Sequence, residues 1–247
     1  ETAISQTVKQ SIPSQNEEER LLCQNTTQYN ENGWLEAMPQ YVREAYAAKK
    51  YAFVSDYTRF WILYKYGGLY FDTDVEVIRS MDDIIERGAF IGFETDPDGK
   101  NTPGRYAPMY VFGVNPGLGF GMEKGHQFLN NMMELYSKMQ FHVTTPGPWL
   151  KTVVAYTTEE LMKVGLNNVP GIQRVDGISI YPREYFAPIN VVTGRLHITK
   201  NTRTIHQYMG SWSGGKELTI KAKLKKIIPE WVLLLNNRRK RSFFRIK

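Results

Sequence analysis

The sequence predicts an α/β layered fold, and three observations lead there. Short apolar runs rich in β-branched and aromatic residues alternate with longer helical stretches, as in "LYFDTDVEVI", "SMDDIIERG" and "AFIGFE". The 247 residues are 42% hydrophobic and 13% aromatic, enough to bury a sizeable core. No internal repeat is visible, and apolar runs such as Trp231 to Leu235 are far too short to span a bilayer.

The elements follow in order. Residues 1–33 are polar, rich in Gln, Asn and Glu, and weakly periodic, with "NTTQYNENG" reading as a loop. A helix is expected from about Met38, with Pro39 tolerated in its first turn. A second, "YAFVSDYTRFWILYKYGG", is apolar nearly all round, as a helix buried on most sides should be. Gly67 and Gly68 stop it. "LYFDTDVEVI" reads as one strand. "SMDDIIERG" reads as a short helix with Ser80 as cap and Asp82 and Asp83 in the first turn. "AFIGFE" is a strand, followed by a turn-rich loop from Asp96 to Pro108.

"YVFGVNPGLGFGM" is Gly-punctuated strand and loop, and "KGHQFLNNMMELYSKM" is a helix with His126 near its start in a structural or surface role. "TTPGPWLKTVVAY" leads from a loop into another helix, and short strands are expected around Val175 to Tyr181 and Arg195 to Thr199. The organisation is thus an atypical N-terminal segment (1–33), a catalytic-sized domain (34–215) and a tail (216–247).

A single cysteine, Cys23, excludes an intramolecular disulfide and suits a reducing compartment. No secretory signal is visible, and the start at Glu1 raises the expectation that something upstream has been removed. The expected location is cytoplasmic. The net charge of +6 is unevenly placed: Lys216 to Lys247 carry 11 Lys/Arg against 2 Asp/Glu, and the first 215 residues carry 20 against 23. A mildly acidic body with a strongly basic tail points to a partner for the tail alone.

Asp72 and Asp74 stand one residue apart at the end of an apolar run. In an extended strand residues i and i+2 share a face, so their carboxylates would converge and repel unless a cation, a shared proton or solvent came between them. A lone D-x-D is weak evidence, and the chain has another at Asp96-Pro97-Asp98, where a turn explains the aspartates. Context strengthens the first pair. It ends a strand, where α/β folds place ligands. The preceding helix also carries Asp56 and Arg59 at i, i+3 on one face, which alone would read as a structural ion pair.

"FDTDV" invites comparison with the first motif of haloacid-dehalogenase-type phosphatases, whose chemistry also needs a later acidic pair downstream of a lysine. After Asp98 the chain has one aspartate, Asp176, and one adjacent acidic pair, Glu159-Glu160, in a helical stretch. The second half of that machinery is missing.

The stretch "YVREAYAAKKYAFVSDYTRFWILYKYGGLYFDTDVEVI" closely resembles the D-x-D region of glycosyltransferase family 32. That family includes bacterial capsular and exopolysaccharide sugar transferases, the yeast initiating α-1,6-mannosyltransferase and clostridial toxin glucosyltransferase domains. The combination S-D-x-x-R, then G-G-x-Y-x-D-x-D, is far more specific than D-x-D alone. Echoes continue through "AFIGFE", "GFGMEKGHQFL", "TPGPWL" and "NTRTIHQYMGSW", covering residues 34–212. Of the family's opening strand only Ile12-Pro13 is echoed, so that strand is expected to be absent, replaced or outside the chain, leaving the base open.

The resemblance implies a GT-A-like nucleotide-sugar-binding fold with a mixed central sheet flanked by helices. It implies a metal-dependent, retaining hexosyltransferase acting on a nucleotide-sugar, a UDP-sugar in preference to a GDP-sugar. Asp74 would bind Mn²⁺ or Mg²⁺ directly. Asp72 would contact ribose, sugar or a metal-bound water, with Tyr70 on the same donor side. Asp56 and Arg59 would hydrogen-bond the donor sugar. His206 and Ser211 would complete the metal and phosphate side, with Trp212 beside the leaving group. A hard divalent ion held by one or two carboxylates would stabilise the leaving diphosphate. No nucleophile for a double displacement can be assigned, so front-face attack by the acceptor is the expectation.

The acceptor side is less legible, with the loop 101–117 and the "TTPGPW" turn as its expected walls. In the tail, Ile220, Leu224, Ile227 and Ile228 would share a helix face amid Lys and Arg, which suits an anionic membrane surface as well as a solvated helix packed on its own domain. Nucleic acid is not the expected partner, since no nucleic-acid-binding fold accompanies the charge. The reading is therefore a membrane-peripheral glycosyltransferase extending a glycan or lipid-linked glycan in polysaccharide biosynthesis. A catalytically inactive nucleotide- or sugar-binding homologue and a protein-glycosylating effector are the alternatives.

Overall fold

The structure, a computed structural model, describes residues 35–97, 112–141 and 151–209, together with 228–229, 232–233 and 235. The expectations for residues 1–33, Asp98, the "TTPGPW" turn, Ser211, Trp212 and most of the tail lie outside the described residues. The chain divides into two units, Glu1–Thr73 with Met122–Thr144, and Asp74–Gly121 with Thr145–Lys247.

Among the described residues, the first unit is built mainly on three longer helices. Helix α1 (Gln40–Ala47) starts after Pro39, whose fixed φ of −54° and missing N–H suit the cap position and whose carbonyl accepts from the Val42 and Arg43 amides. Helix α2 (Tyr51–Tyr66) follows a break at Lys49, which sits at φ 57°. In its middle Val54, Asp56 to Phe60 and Leu63 are buried while Ser55, Trp61 and Ile62 are half-buried, and Tyr51 and Tyr66 at its ends are exposed, so the all-round apolar pattern serves the centre of the helix. Helix α4 (Gln127–Ser137) is capped by His126, whose Nδ1 accepts from the Phe128 amide, which is the structural role expected of it. Tyr41, Tyr57, Phe60, Phe128 and Tyr136 pack as an aromatic cluster, with the Tyr41 and Tyr136 rings edge to face at 5.0 Å.

Gly67 ends α2 at φ 68°, ψ −169°, a region open essentially to glycine alone. A Cβ there would also lie 2.8 Å from the Lys124 backbone nitrogen. The reversal lets strand β1 (Gly68–Tyr70) follow at once.

The second unit holds a mixed sheet. Strand β3 (Phe90–Thr95) runs parallel to β7 (Ile178–Tyr181), with Ile91 opposite Ile180. It pairs antiparallel with β4 (Gly113–Val114) and β5 (Phe120–Met122), and β7 pairs antiparallel with β6 (Gln173–Val175). Phe90, Ile91, Phe93, Val114, Phe120, Ile178, Ile180 and Phe186 form its core. Helix α5 (Val153–Lys163) is tied to β4 through Thr158, whose hydroxyl accepts from the Val114 amide at 2.9 Å. A separate antiparallel pair joins β2 (Val75–Val77) to β8 (Thr204–His206). The class is α/β with a mixed central sheet flanked by helices, consistent with the GT-A-like fold.

Three sequence expectations need correction. "LYFDTDVEVI" is two strands, β1 and β2, joined by a turn that holds both aspartates, so their shared strand face does not exist. Val175 to Tyr181 contains a hairpin, because Asp176 and Gly177 adopt positive φ (48° and 79°) as a two-residue reversal between β6 and β7. Arg195 to Thr199 forms no strand beyond a single bridge from Leu196 to Ile189, and the strand in that region is β8. The short helix α3 (Asp82–Ile85) is capped by Met81, with Ser80 Oγ one residue earlier accepting from the Asp82 amide.

Gly67→Ala and Gly68→Ala should each lose about 1–3 kcal/mol in urea unfolding, since both positions hold positive φ. Gly67→Ala should lose more, because only there does the added methyl meet backbone. Equal losses would mean that the close approach at Lys124 is not made in solution.

Candidate functional site

In the first unit the site begins on the buried face of α2. Arg59 is 3% exposed, and its guanidinium is held on several sides. Nε donates to the Ser55 carbonyl at 3.0 Å, and Nη2 donates to Ser55 Oγ at 3.1 Å and Asp56 Oδ1 at 3.3 Å. The same Nη2 pairs with Asp72 Oδ1 at 3.4 Å, and the guanidinium carbon lies 5.0 Å from the Tyr70 ring centroid. The Tyr70 hydroxyl donates to Asp72 Oδ1 at 2.9 Å. Asp56, Arg59, Tyr70 and Asp72, all expected from sequence, are therefore one network.

That network sets unusual protonation energetics. Burial pushes the Asp56 carboxyl up to about 7; Arg59 opposes the rise and the nearby Asp72 charge adds to it. Burial likewise raises the Tyr70 phenol, against the pull of Arg59 and with the help of Asp72. For Arg59 burial works against the charge, but Asp72, Tyr70 and Asp56 outweigh it and fix the cation. Arg59 Nη1 is buried and has no hydrogen-bond partner among the described residues.

In the second unit the β2–β8 register places Val75 opposite His206, and the Gln207 amide donates to the Asp74 carbonyl at 2.9 Å. The pairing brings His206 Nε2 to 3.2 Å from Asp74 Oδ1, and the Met209 amide donates to Asp74 Oδ2 at 2.9 Å. Burial works to raise the Asp74 carboxyl, but the hydrogen bond and charge of His206 and the Met209 amide outweigh it and hold it below the usual carboxylate range. The hydroxyl of Thr204 anchors β8 by donating to the carbonyls of Leu118 and Phe186.

Two partners escaped the sequence reading. Ser55 supports Arg59 through its carbonyl and its hydroxyl, and the serine of S-D-x-x-R was the signal for it. Tyr208 packs edge-on to His206 with ring centroids 4.3 Å apart, at a strained φ of 52° that no sequence pattern announces. Of the other D-x-D, Asp98 lies outside the described residues, and Asp96 Oδ1 accepts from the distant Arg183 amide at 2.9 Å.

Residues 4–91 match the family described as a glycosyltransferase sugar-binding region containing the DXD motif. The match begins in the polar N-terminal segment and ends within β3. No curated protein and no solved structure matches the chain. S-D-x-x-R and G-G-x-Y-x-D-x-D both lie inside the matched region, so residues 4–91 are similar to the DXD-containing sugar-binding region of glycosyltransferases, as the likeness to family 32 leads one to expect.

Proposed function

We propose that the chain transfers a hexose from a nucleotide-sugar, a UDP-sugar before a GDP-sugar, to a glycan or lipid-linked glycan acceptor. The proposed transfer retains the anomeric configuration, requires a divalent cation and serves polysaccharide biosynthesis. The observation that carries this reading is the β2–β8 pairing, which joins Asp74 of the D-x-D to His206 of a distant motif.

The donor set suits a cation. Asp74 is kept ionised, an imidazole nitrogen stands beside it, and Asp72 is tethered two residues away as a third candidate ligand. A mixed carboxylate and imidazole set favours Mn²⁺ over Mg²⁺, which prefers oxygen alone. Held by Asp72, Asp74 and His206, the ion would stabilise the charge of the departing diphosphate as a Lewis acid.

The protein's own groups account for the sugar. Arg59 keeps Nη1 as a spare donor with Asp56 beside it as an acceptor, a pairing suited to vicinal sugar hydroxyls. Tyr70 and Arg59 orient Asp72, so its carboxylate meets the donor in one direction. Burial of these groups strengthens every such contact where charge develops at the anomeric centre.

Nucleotide release from a panel of UDP- and GDP-sugars should require Mn²⁺, stop with chelator and fall at least about 100-fold in Asp74→Asn. Calorimetry should show weaker Mn²⁺ binding in both Asp74→Asn and His206→Ala. Metal-dependent nucleotide binding without turnover of any donor would favour the inactive homologue.

Asp56 gives a pH test. Its proton must leave before the carboxylate accepts from a sugar hydroxyl, and the carboxyl is raised to about 7. The kcat/KM for the donor should therefore fall about tenfold per pH unit below 7 and level off above it. Asp56→Asn should have a lower, flat profile, and a wild-type profile flat from pH 5.5 to 8 would remove Asp56 from donor binding.

A further inference from the structure

A second polar group stands at the end of the central sheet and uses none of the donor residues. Strands β3 and β7 run parallel. Glu94 lies near the carboxyl end of β3 with Asp96 just past it, and Arg183 lies just past the carboxyl end of β7. Sheets of α/β proteins hold their ligands at such ends. Glu94 is also an extra residue in the β3–β4 ladder, since Phe93 and Thr95 face the consecutive residues Val114 and Gly113. A bulge of that kind re-aims a side chain. Asn115, 8% exposed, steadies the re-aimed carboxylate: its Nδ2 donates to Glu94 Oε1 at 3.2 Å, while its Oδ1 accepts from the Gly117 amide.

Two donors beside that carboxylate have no acceptor among the described residues. Arg183 is 7% exposed, and its Nη2 donates to the Ile189 carbonyl at 2.6 Å, but its Nε is buried and unpartnered. The Tyr208 hydroxyl is likewise buried and unpartnered. Burial raises its phenol; the Glu94 charge adds to the rise, Arg183 opposes it and Asp74 adds to it, so all three lie within electrostatic reach of the ring. A buried donor without an acceptor costs free energy that a bound oxygen would restore. Tyr208 adds the strain of a φ of 52°, and strain of that kind gathers at ligand sites. Its ring also packs against His206, which stands beside Asp74.

A carboxylate that accepts, next to a phenol and a guanidinium that donate, matches the paired character of sugar hydroxyls. An anion would be repelled by Glu94 and Asp96, and a cation by Arg183. We propose that Glu94, Arg183 and Tyr208 form a subsite for the hydroxyls of the acceptor sugar. Glu94 accepts from one hydroxyl, and the Tyr208 hydroxyl and Arg183 Nε donate to oxygens beside it. The acceptor assignment rests on the transferase reading, in which Asp56 and Arg59 already serve the donor sugar.

The first test needs neither metal nor donor. Titration by saturation-transfer NMR should show the full chain binding at least one of the methyl glycosides of glucose, galactose and mannose. Glu94→Gln should weaken that binding about tenfold and Tyr208→Phe about 3–10-fold. Tyr208→Phe should keep its Tm, since it removes a hydroxyl that has no partner among the described residues, so its loss of binding would not come from unfolding. Asp56→Asn supplies the donor-side arm: a loss of affinity there as large as in Glu94→Gln would place the glycoside in the donor site and overturn the proposal. So would a wild-type chain that binds none of the glycosides. Variants that bind as tightly as wild type would mean that water serves the two buried donors, and would overturn it too. With a donor that turns over, the ratio of transfer to donor hydrolysis should fall about tenfold in Glu94→Gln, whereas equal losses of both would overturn the acceptor role. Absence of metal-dependent nucleotide release would remove the transferase reading, and glycoside binding would still decide whether the subsite exists.

Discussion

A guanidinium with 3% of its surface exposed dictates how its part of the molecule is built. Taking that charge out of water costs several kcal/mol unless carboxylates and carbonyls surround it. Arg59 gathers Ser55 and Asp56 from its own helix, but helix neighbours do not suffice. The remaining partners, Tyr70 and Asp72, lie beyond the end of α2 and must be turned back toward it. The unusual backbone of Gly67 makes that reversal, so a conformational demand at one glycine and an electrostatic demand at one arginine are parts of one solution. Two carboxylates then face a single cation, and the more deeply buried one, Asp56, holds its proton until about pH 7.

The second unit meets the same problem with a different device. Asp74 is stabilised by strand pairing, since β2 and β8 deliver an imidazole and a backbone amide to it from the far end of the domain. Thr204 fixes β8 through two buried carbonyls, so the position of His206 follows from hydrogen bonds made two residues earlier. A flexible loop bringing histidine to aspartate would have to be ordered at each encounter; a strand register has already met that entropy cost.

Much of this was legible in the sequence because local signals and chemistry coincided. The double glycine marked the end of α2, the i, i+3 spacing put Asp56 beside Arg59, and the D-x-D marked the two carboxylates that each gather partners. What failed was pattern without context. "LYFDTDVEVI" has the composition of one strand, yet two adjacent carboxylates on one face would repel, and a turn separates them. The reversal at Asp176-Gly177 lay in plain view as an Asp-Gly pair, but a seven-residue stretch read as one strand concealed it. Arg195 to Thr199 has β-like composition, but its apolar residues are exposed, and composition cannot tell which surface a side chain will face. Tyr208 could not be anticipated, because its strained backbone arises only where β8 ends.

The two aspartates of the motif are identical letters with different physical lives. Asp72 is bound by a fixed cation and a phenol, and those partners restrain where its carboxylate points. Asp74 is bound by an imidazole and an amide, of which the imidazole can exchange a carboxylate for a metal ion. A strand would have given both the same face and the same surroundings. The turn between β1 and β2 gives each its own partners, with Thr73 exposed between them. The spacing of one residue therefore lets a single short segment present two carboxylates with different partners, one beside a guanidinium and one beside an imidazole. That difference in surroundings is something the letter D alone does not encode.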